Sequence, residues 1–188
     1  MAKKTPLIIL DRDGVINYES KDYIKTPEEW LPIPGSLEAI ALLSQADYTI
    51  AVATNQSGVG RGFYTENDLA GIHQKMLDSL KALGGTVDKI FYCPHHPHDH
   101  CRCRKPGVGL FDQIADYYQT DLRGIISIGD SLRDIKAALK VGCQPILVLT
   151  GNGDETLLNN RELVDEIPVF PDLLSAVRKL LQEDQPHD

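Results

Sequence analysis

Leu7-Ile8-Ile9-Leu10-Asp11-Arg12-Asp13-Gly14 decides how this chain reads. Its four apolar residues have the length and character of a buried strand. Two carboxylates spaced by one residue follow where that strand ends. In an open parallel sheet, ligands bind in the crevice outside the carboxyl ends of the strands. Like charges held this close repel unless a cation sits between them. A hard divalent ion such as Mg²⁺ prefers oxygen ligands and commonly arrives with a substrate phosphate. Gly14 lets the chain turn sharply behind the pair. Taken alone, the stretch reads equally as a strand-to-loop junction with two solvated acids.

Outward from this point, strand-like and helix-like runs alternate. Asn17 to Pro34 is polar, interrupted by Pro27, Pro32 and Pro34, and reads as a loop over the strand ends. Helices are expected from Ser36 to Ala46, Thr65 to about Leu83, Gly107 to Tyr118, Asp134 to Val141 and Asp172 to Leu181. Leu37, Ile40, Ala41 and Leu43 give the first an apolar face. Ile72, Met76, Leu80 and Leu83 do the same for the second, with Thr65 or Asn67 as its cap. Further strands are expected at Tyr48–Ala53, Val87–Tyr92, Ile125–Ile128 and Pro145–Leu149. The alternation implies an α/β fold, a three-layer sandwich with a mostly parallel central sheet. A length of 188 residues suits one core, so residues 1–188 are expected to form a single domain. Only about forty residues separate Gly14 from Thr54, and a helix and a strand already fill them. The interval from Thr54 to Lys105 is filled likewise, so no large cap domain is expected. Trp30 and Met76 read as packing residues.

The composition is that of a globular chain, 42% hydrophobic and 24% charged. A net charge of −8 argues against nucleic acid as a partner. An anionic substrate would then be held by local cations rather than by the overall field. No apolar run is long enough to span a membrane. The basic start, Met1-Ala2-Lys3-Lys4, precedes an apolar run too short for a signal-peptide core. A cytoplasmic monomer is expected, with a small phosphorylated molecule as its substrate.

Two later strand exits also carry polar groups. Thr54-Asn55-Gln56-Ser57-Gly58 is rich in hydrogen-bond donors, and Gly58, Gly60 and Gly62 follow with Arg61 among them. Such a loop can present donors to phosphate oxygens, or can be merely a glycine-rich turn before a helix. Gly129-Asp130-Ser131 ends a further strand, and Asp130 can complete a carboxylate set around Mg²⁺. Asp134 can join that set or serve as an acid at a helix start. Arg102-Cys103-Arg104-Lys105-Pro106 is cationic, and its lysine can act as a point charge on a phosphoryl group.

Asp-x-Asp-Gly, Thr54-Asn55-Gln56-Ser57-Gly58, Lys105-Pro106 and Gly129-Asp130-x-x-x-Asp134, in this order, resemble the four motifs of the haloacid dehalogenase-like superfamily. The variant is similar to its aspartate-nucleophile phosphatases. The resemblance implies that Asp11 is the nucleophile and that Asp13 protonates the leaving oxygen and then activates water. It implies that Thr54 and Lys105 hold the phosphoryl oxygens. It further implies that Mg²⁺ is bound by Asp11, Asp130 and the backbone carbonyl of Asp13. A carboxylate nucleophile divides a difficult hydrolysis into two easier steps.

Cys93-Pro94-His95-His96-Pro97-His98-Asp99-His100-Cys101-Arg102-Cys103 contains three thiols and four imidazoles. Cys-x-His followed by Cys-x-Cys offers a closed four-ligand Zn²⁺ site of structural type: Cys93, His95, Cys101 and Cys103. His96, His98 and His100 are competing ligands. A disulfide is the alternative, although Cys101 and Cys103 are too close for an unstrained bridge and the expected compartment is reducing. Cys143, beside an apolar strand, reads as a buried thiol. The loop resembles the zinc-containing subgroup that holds heptose-bisphosphate and histidinol-phosphate phosphatases, the former more closely. That resemblance implies removal of the 7-phosphate of D-glycero-D-manno-heptose 1,7-bisphosphate in lipopolysaccharide-core precursor synthesis, with histidinol phosphate as the alternative substrate. It also implies sugar contacts from Glu19, Ser20, Lys21, Asp22 and Tyr23, and substrate recognition by Arg104. Asn55, Gln56, Ser57 and Arg61 join this substrate-facing set. So does Ser131, which stands where the family often carries a lysine. A phospho-accepting signalling domain is the alternative of another class, although its acids are usually adjacent and a zinc loop would be foreign to it.

Overall fold

The computed structural model describes residues 5–183, so the basic residues 1–4 lie outside the described part. Six parallel strands form one sheet in the order β3-β2-β1-β4-β5-β6. They are β1 (Leu7–Leu10), β2 (Thr49–Asn55), β3 (Lys89–Cys93), β4 (Ile126–Gly129), β5 (Gln144–Val148) and β6 (Val169–Phe170). The order reverses between β1 and β4, which makes their carboxyl ends the topological switch point of the sheet. Asp11 and Asp130 stand one residue beyond these two ends. A phospho-accepting domain of the flavodoxin-like kind would have the order 2-1-3-4-5, so the topology sets that alternative aside.

Side chains alternate across a strand. Ile8 and Leu10 of β1 therefore enter one core, with Ile50 and Val52 of β2 and Ile146 and Val148 of β5. That core is closed by α1 (Ser36–Gln45), α3 (Glu66–Lys81) and α8 (Leu173–Glu183), through Ile40, Leu43, Ile72, Met76 and Val177. Ile9, Ala51 and Ala53 point the other way, against α4 (Gly109–Tyr118) and α5 (Leu132–Lys140). Three layers result, and no large cap interrupts them among the described residues. Trp30 and Met76 are both buried in the first core, as packing residues.

The differences from the sequence expectations are local. β2 runs on through Thr54 and Asn55, because both extend the pairing with β3 opposite Tyr92 and Cys93. α3 takes Thr65 as its cap, through a capping box with Asp68, rather than Asn67. α5 begins at Leu132, two residues before the expected start, because Ser131 caps it and Asp134 is its third residue. Six short elements escape periodicity altogether, two of them single 3₁₀ turns at Pro27–Glu29 and Pro97–Asp99. The single turn α2 (Ser57–Gly60) lies in the glycine-rich stretch, while α6 (Gly153–Asn159), α7 (Arg161–Val164) and β6 lie between the last two expected elements. None is long enough to establish a period.

Leu43 is fully buried between α1 and the sheet. Leu43→Ala should cost about 2–5 kcal/mol and lower the melting temperature by roughly 5–15 °C. Leu158→Ala, at a side chain 64% exposed, should leave melting nearly unchanged. Paired thermal denaturation scans check both.

Candidate active site

The switch point gathers three carboxylates. Ligand oxygens of Asp11, Asp130 and Asp134 all lie within 4.8 Å of one another. Burial, followed by the neighbouring acids, pushes Asp11 up to about 7 and Asp130 up to about 8. Asp134 behaves differently. Burial also disfavours its charge, but the Lys105 ammonium outweighs this and holds the carboxyl below the usual range. Lys105 Nζ lies 2.6 Å from Asp134 Oδ1 and 3.0 Å from Asp11 Oδ1, and donates to the Ala53 carbonyl at 2.6 Å. Burial opposes the ammonium, yet the two acids raise its pKa above the ordinary lysine value.

The remaining bonds of these acids are one-sided. Asp11 Oδ1 also accepts from the Arg12 backbone N–H at 2.8 Å. Asp130 Oδ2 accepts from the backbone N–H and the Nδ2 of Asn152 at 2.8 and 3.1 Å. Each residue thus keeps its second carboxylate oxygen for another partner. Two desolvated, mutually repelling carboxylates with oxygen to spare match the donor set of a hard divalent cation. Asp134 is mostly taken: its Oδ2 accepts from the Ser131 N–H and hydroxyl at 3.0 and 2.5 Å, closing the capping box. Both sequence readings of Asp134 therefore describe one residue, an acid at a helix start that also stands in the carboxylate cluster.

Asp13 lies beside them in a different setting. Its carboxylate accepts from Asn17 Nδ2, Gln56 Nε2 and the Arg12 guanidinium at 2.8–3.2 Å. Burial works against its charge, but Arg12 and these donors hold it below the ordinary value. Thr54 Oγ1 accepts from the same Gln56 Nε2 at 2.8 Å.

Above these groups is a cavity of about 330 Å³. Its floor is Asp11, Asp13, Asp134, Thr54 and Lys105, and Glu19, Ser20, Lys21 and Tyr23 form one rim. Asn55, Gln56, Ser57, Arg61 and Arg104 form much of the rest, with Arg133. Two expected substrate-facing residues are absent from this wall. Ser131 is buried, with its hydroxyl turned to Asp134. Asp22 is exposed on the outside of its loop, where its carbonyl accepts from Lys25 Nζ. Asn55 lines the cavity but spends its amide on the Lys105 backbone, donating to the carbonyl at 3.1 Å and accepting the N–H at 3.0 Å. Participants not singled out in the sequence include Arg12, Asn17, Tyr64, Arg133 and Asn152. Arg133 could have been found from its place next to Asp134. Asn152 follows β5 without a periodic signal, and only the three-dimensional closure of Gly151 on Gly14 brings it to Asp130.

A second cluster lies in the loop that leads into Arg104 and Lys105 of the cavity wall. The Sγ atoms of Cys93, Cys101 and Cys103 are 3.1–3.5 Å apart, and His95 Nδ1 is 3.1 Å from Cys103 Sγ. All four cysteines are free thiols, so the alternative of a disulfide is not realised. Backbone contacts bind this loop to the glycine-rich turn: Gln56 N–H donates to the Cys93 carbonyl and Gly60 N–H to that of Pro94, each at 2.8 Å. A side chain at Gly60 would run into the Pro94–His96 backbone.

Comparison with known proteins agrees with this arrangement. A family model described as HAD-hydrolase-like matches residues 102–176. The D-glycero-β-D-manno-heptose-1,7-bisphosphate 7-phosphatase of Bordetella bronchiseptica is 51% identical over 94% of this chain and 98% of its own length. That of Pseudomonas aeruginosa is 52% identical over 94% and 98%. A solved structure of the Bordetella bronchiseptica enzyme, complexed with magnesium and phosphate, superposes with a TM-score of 0.92, covering 95% of this chain and 99% of that one. No helix among the described residues is long and apolar enough to cross a membrane. The chain therefore belongs to the heptose-1,7-bisphosphate 7-phosphatase family of haloacid dehalogenase-like phosphatases.

Proposed function

We propose that this chain hydrolyses the 7-phosphate of D-glycero-β-D-manno-heptose 1,7-bisphosphate through an aspartyl-phosphate on Asp11. The observation that carries this is the carboxylate cluster of Asp11, Asp130 and Asp134, gathered around Lys105 beneath an open cavity. Asp11 attacks phosphorus as the bond to the sugar oxygen breaks; Asp13, ionised in the free site, must first take up a proton, which it gives to that oxygen. Water then attacks the acyl phosphate and passes a proton to Asp13. Inorganic phosphate leaves and the Asp11 carboxylate is restored. Thr54 and Lys105 hold the non-bridging oxygens. Asp11, Asp130 and the Asp13 carbonyl would hold Mg²⁺, which when bound offsets the repulsion between carboxylate and phosphate.

The arginines support a substrate with two phosphates. Arg61, Arg104 and Arg133 line the same cavity, and Arg104 Nη1 is buried without a hydrogen-bond partner. Burial, followed by Arg133 and Arg61, pushes the Arg104 pKa down, as expected of a cationic cluster awaiting an anion. Histidinol phosphate would bring an ammonium to these guanidiniums, which disfavours that alternative. Glu19, Ser20, Lys21 and Tyr23 would meet the sugar.

The Cys93, His95, Cys101 and Cys103 cluster is proposed to hold structural Zn²⁺. With bonds of about 2.3 Å to sulfur, a tetrahedral ion needs sulfurs roughly 3.8 Å apart, close to the spacing that these thiols already have. His96 is otherwise engaged, its Nδ1 accepting the His98 N–H at 3.1 Å.

Asp11→Asn should lower kcat for the heptose bisphosphate by on the order of 10⁴-fold or more. Parallel assays of wild type on heptose bisphosphate, heptose 7-phosphate and histidinol phosphate test the substrate; preference for histidinol phosphate would overturn it. The raised pKa values of Asp11 and Asp130 set a pH dependence. Without metal, the folded state holds more protons than the unfolded chain between about pH 4 and pH 8, so stability falls as pH rises through that window. Mg²⁺ should release protons on binding and raise the melting temperature more at pH 8 than at pH 6. Calorimetry in buffers of different ionisation heat, with melting scans, checks this. Cys101→Ser should reduce bound zinc from one per chain and lower the melting temperature before it alters Mg²⁺ affinity, as read by metal analysis and titration.

A further inference from the structure

The residue between the two acids is itself buried, with only 1% of Arg12 exposed. Its guanidinium donates from Nε to Asp13 Oδ1 at 3.2 Å and from Nη2 to Oδ1 and Oδ2 at 2.9 and 3.1 Å, a forked grip on one carboxylate. Its other face is anchored from behind. Nη2 also donates to Gln56 Oε1 at 3.1 Å, and Nη1 lies 3.1 Å from His73 Nε2. A guanidinium can only donate, so His73 Nε2 is the bare acceptor nitrogen and its proton is on Nδ1. Gln56 is held in turn by the Tyr64 hydroxyl at 2.8 Å, and it joins Asp13 to Thr54 through Nε2. A buried charge needs partners, but a salt bridge alone would not require an acceptor on α3, more than sixty residues away in sequence, to meet the far side of the fork.

We infer that Arg12 is a positioning residue for proton transfer, fixing the angle of the Asp13 carboxylate, and that His73 fixes Arg12. This rests on the proposed roles of Asp11 and Asp13 and extends them to Arg12, whose part here is played through Asp13, and to His73, which stands behind the cavity wall. Aspartate side chains turn freely about two bonds, and proton delivery demands the correct direction as well as proximity. The fork removes that freedom. Lysine would keep the charge and lose the fork.

The test is the dependence of kcat/KM on leaving-group acidity across phosphate monoesters, from aryl esters of acidic phenols to alkyl esters, with Mg²⁺ present. This ratio reports the steps up to formation of the phospho-enzyme. Arg12→Lys should lower it about 10²-fold or more for alkyl esters, which need a proton on the leaving oxygen, and only a few-fold for acidic phenols, which do not. The plot against leaving-group pKa should therefore steepen. His73→Leu, which leaves the fork intact and removes its anchor, should steepen it less. A purely structural role would shift every ester equally and leave the slope unchanged, which overturns the inference. If Arg12→Lys does not fold, the His73→Leu slope decides in the same way. A wild type that hydrolyses none of the esters would instead overturn the phosphatase reading itself.

Discussion

The buried ammonium of Lys105 is the contact on which the site depends. It lies against Asp11 and Asp134 and donates to the Ala53 carbonyl, so it joins the ends of β1, β2 and α5 at one point. Three clustered carboxylates against this one ammonium leave an excess of two negative charges, the charge of one divalent cation. In a desolvated setting such an excess is costly, and the raised pKa values of Asp11 and Asp130 express that cost. The protein therefore stores a demand for a cation at the place where a phosphate would arrive. Removing one partner from such a buried pair typically costs several kcal/mol, because the other charge is then left uncompensated.

Much of this was legible before any coordinates. Leu7–Leu10 gave a buried strand, the acids stood at its end, and Lys105 and Asp130 followed at later strand exits or helix starts. These signals are local: an apolar run, a turn, a charge. What escaped is non-local or too short. Tyr64 reaches Gln56 only because Gly58 leaves room for its ring, since a side chain at Gly58 would collide with it. Asn152 reaches Asp130 because Gly14 and Gly151 let two backbones touch, with the Thr150 hydroxyl donating to the Gly14 carbonyl at 2.6 Å. Ser131 turns inward for a reason that spacing could have supplied. Ser-x-x-Asp at a helix start is a capping box, and its hydroxyl is spent inward on Asp134.

Without a large cap, the walls of the cavity must be fixed by their own contacts. The Asn17–Pro32 segment returns over β1, with Ile33 N–H donating to the Ile16 carbonyl and Tyr18 N–H to that of Leu31. Lys75 Nζ on α3 donates to the carbonyls of Pro27 and Trp30 and holds the far side of the same loop. Asn152 links Asp130 to Glu19, joining the carboxylate cluster to the rim. The cysteine–histidine loop has little apolar surface of its own and leans on the glycine-rich turn. A bound metal there would supply the order that burial cannot.

The division of labour follows from what each kind of element can hold still. The sheet fixes its strand ends, and Asp11, Thr54 and Asp130 stand at or one residue beyond them, Thr54 paired with Tyr92 of β3. Loops carry recognition. Asp13 is the exception, since it stands three residues past the strand, with a single bridge to Asn17 in place of the sheet ladder. Arg12 supplies the missing constraint at both ends: its backbone N–H bonds Asp11 and its side chain grips Asp13. The spacing of the two acids therefore has physical content. The residue between them ties the loop carboxylate to the strand end.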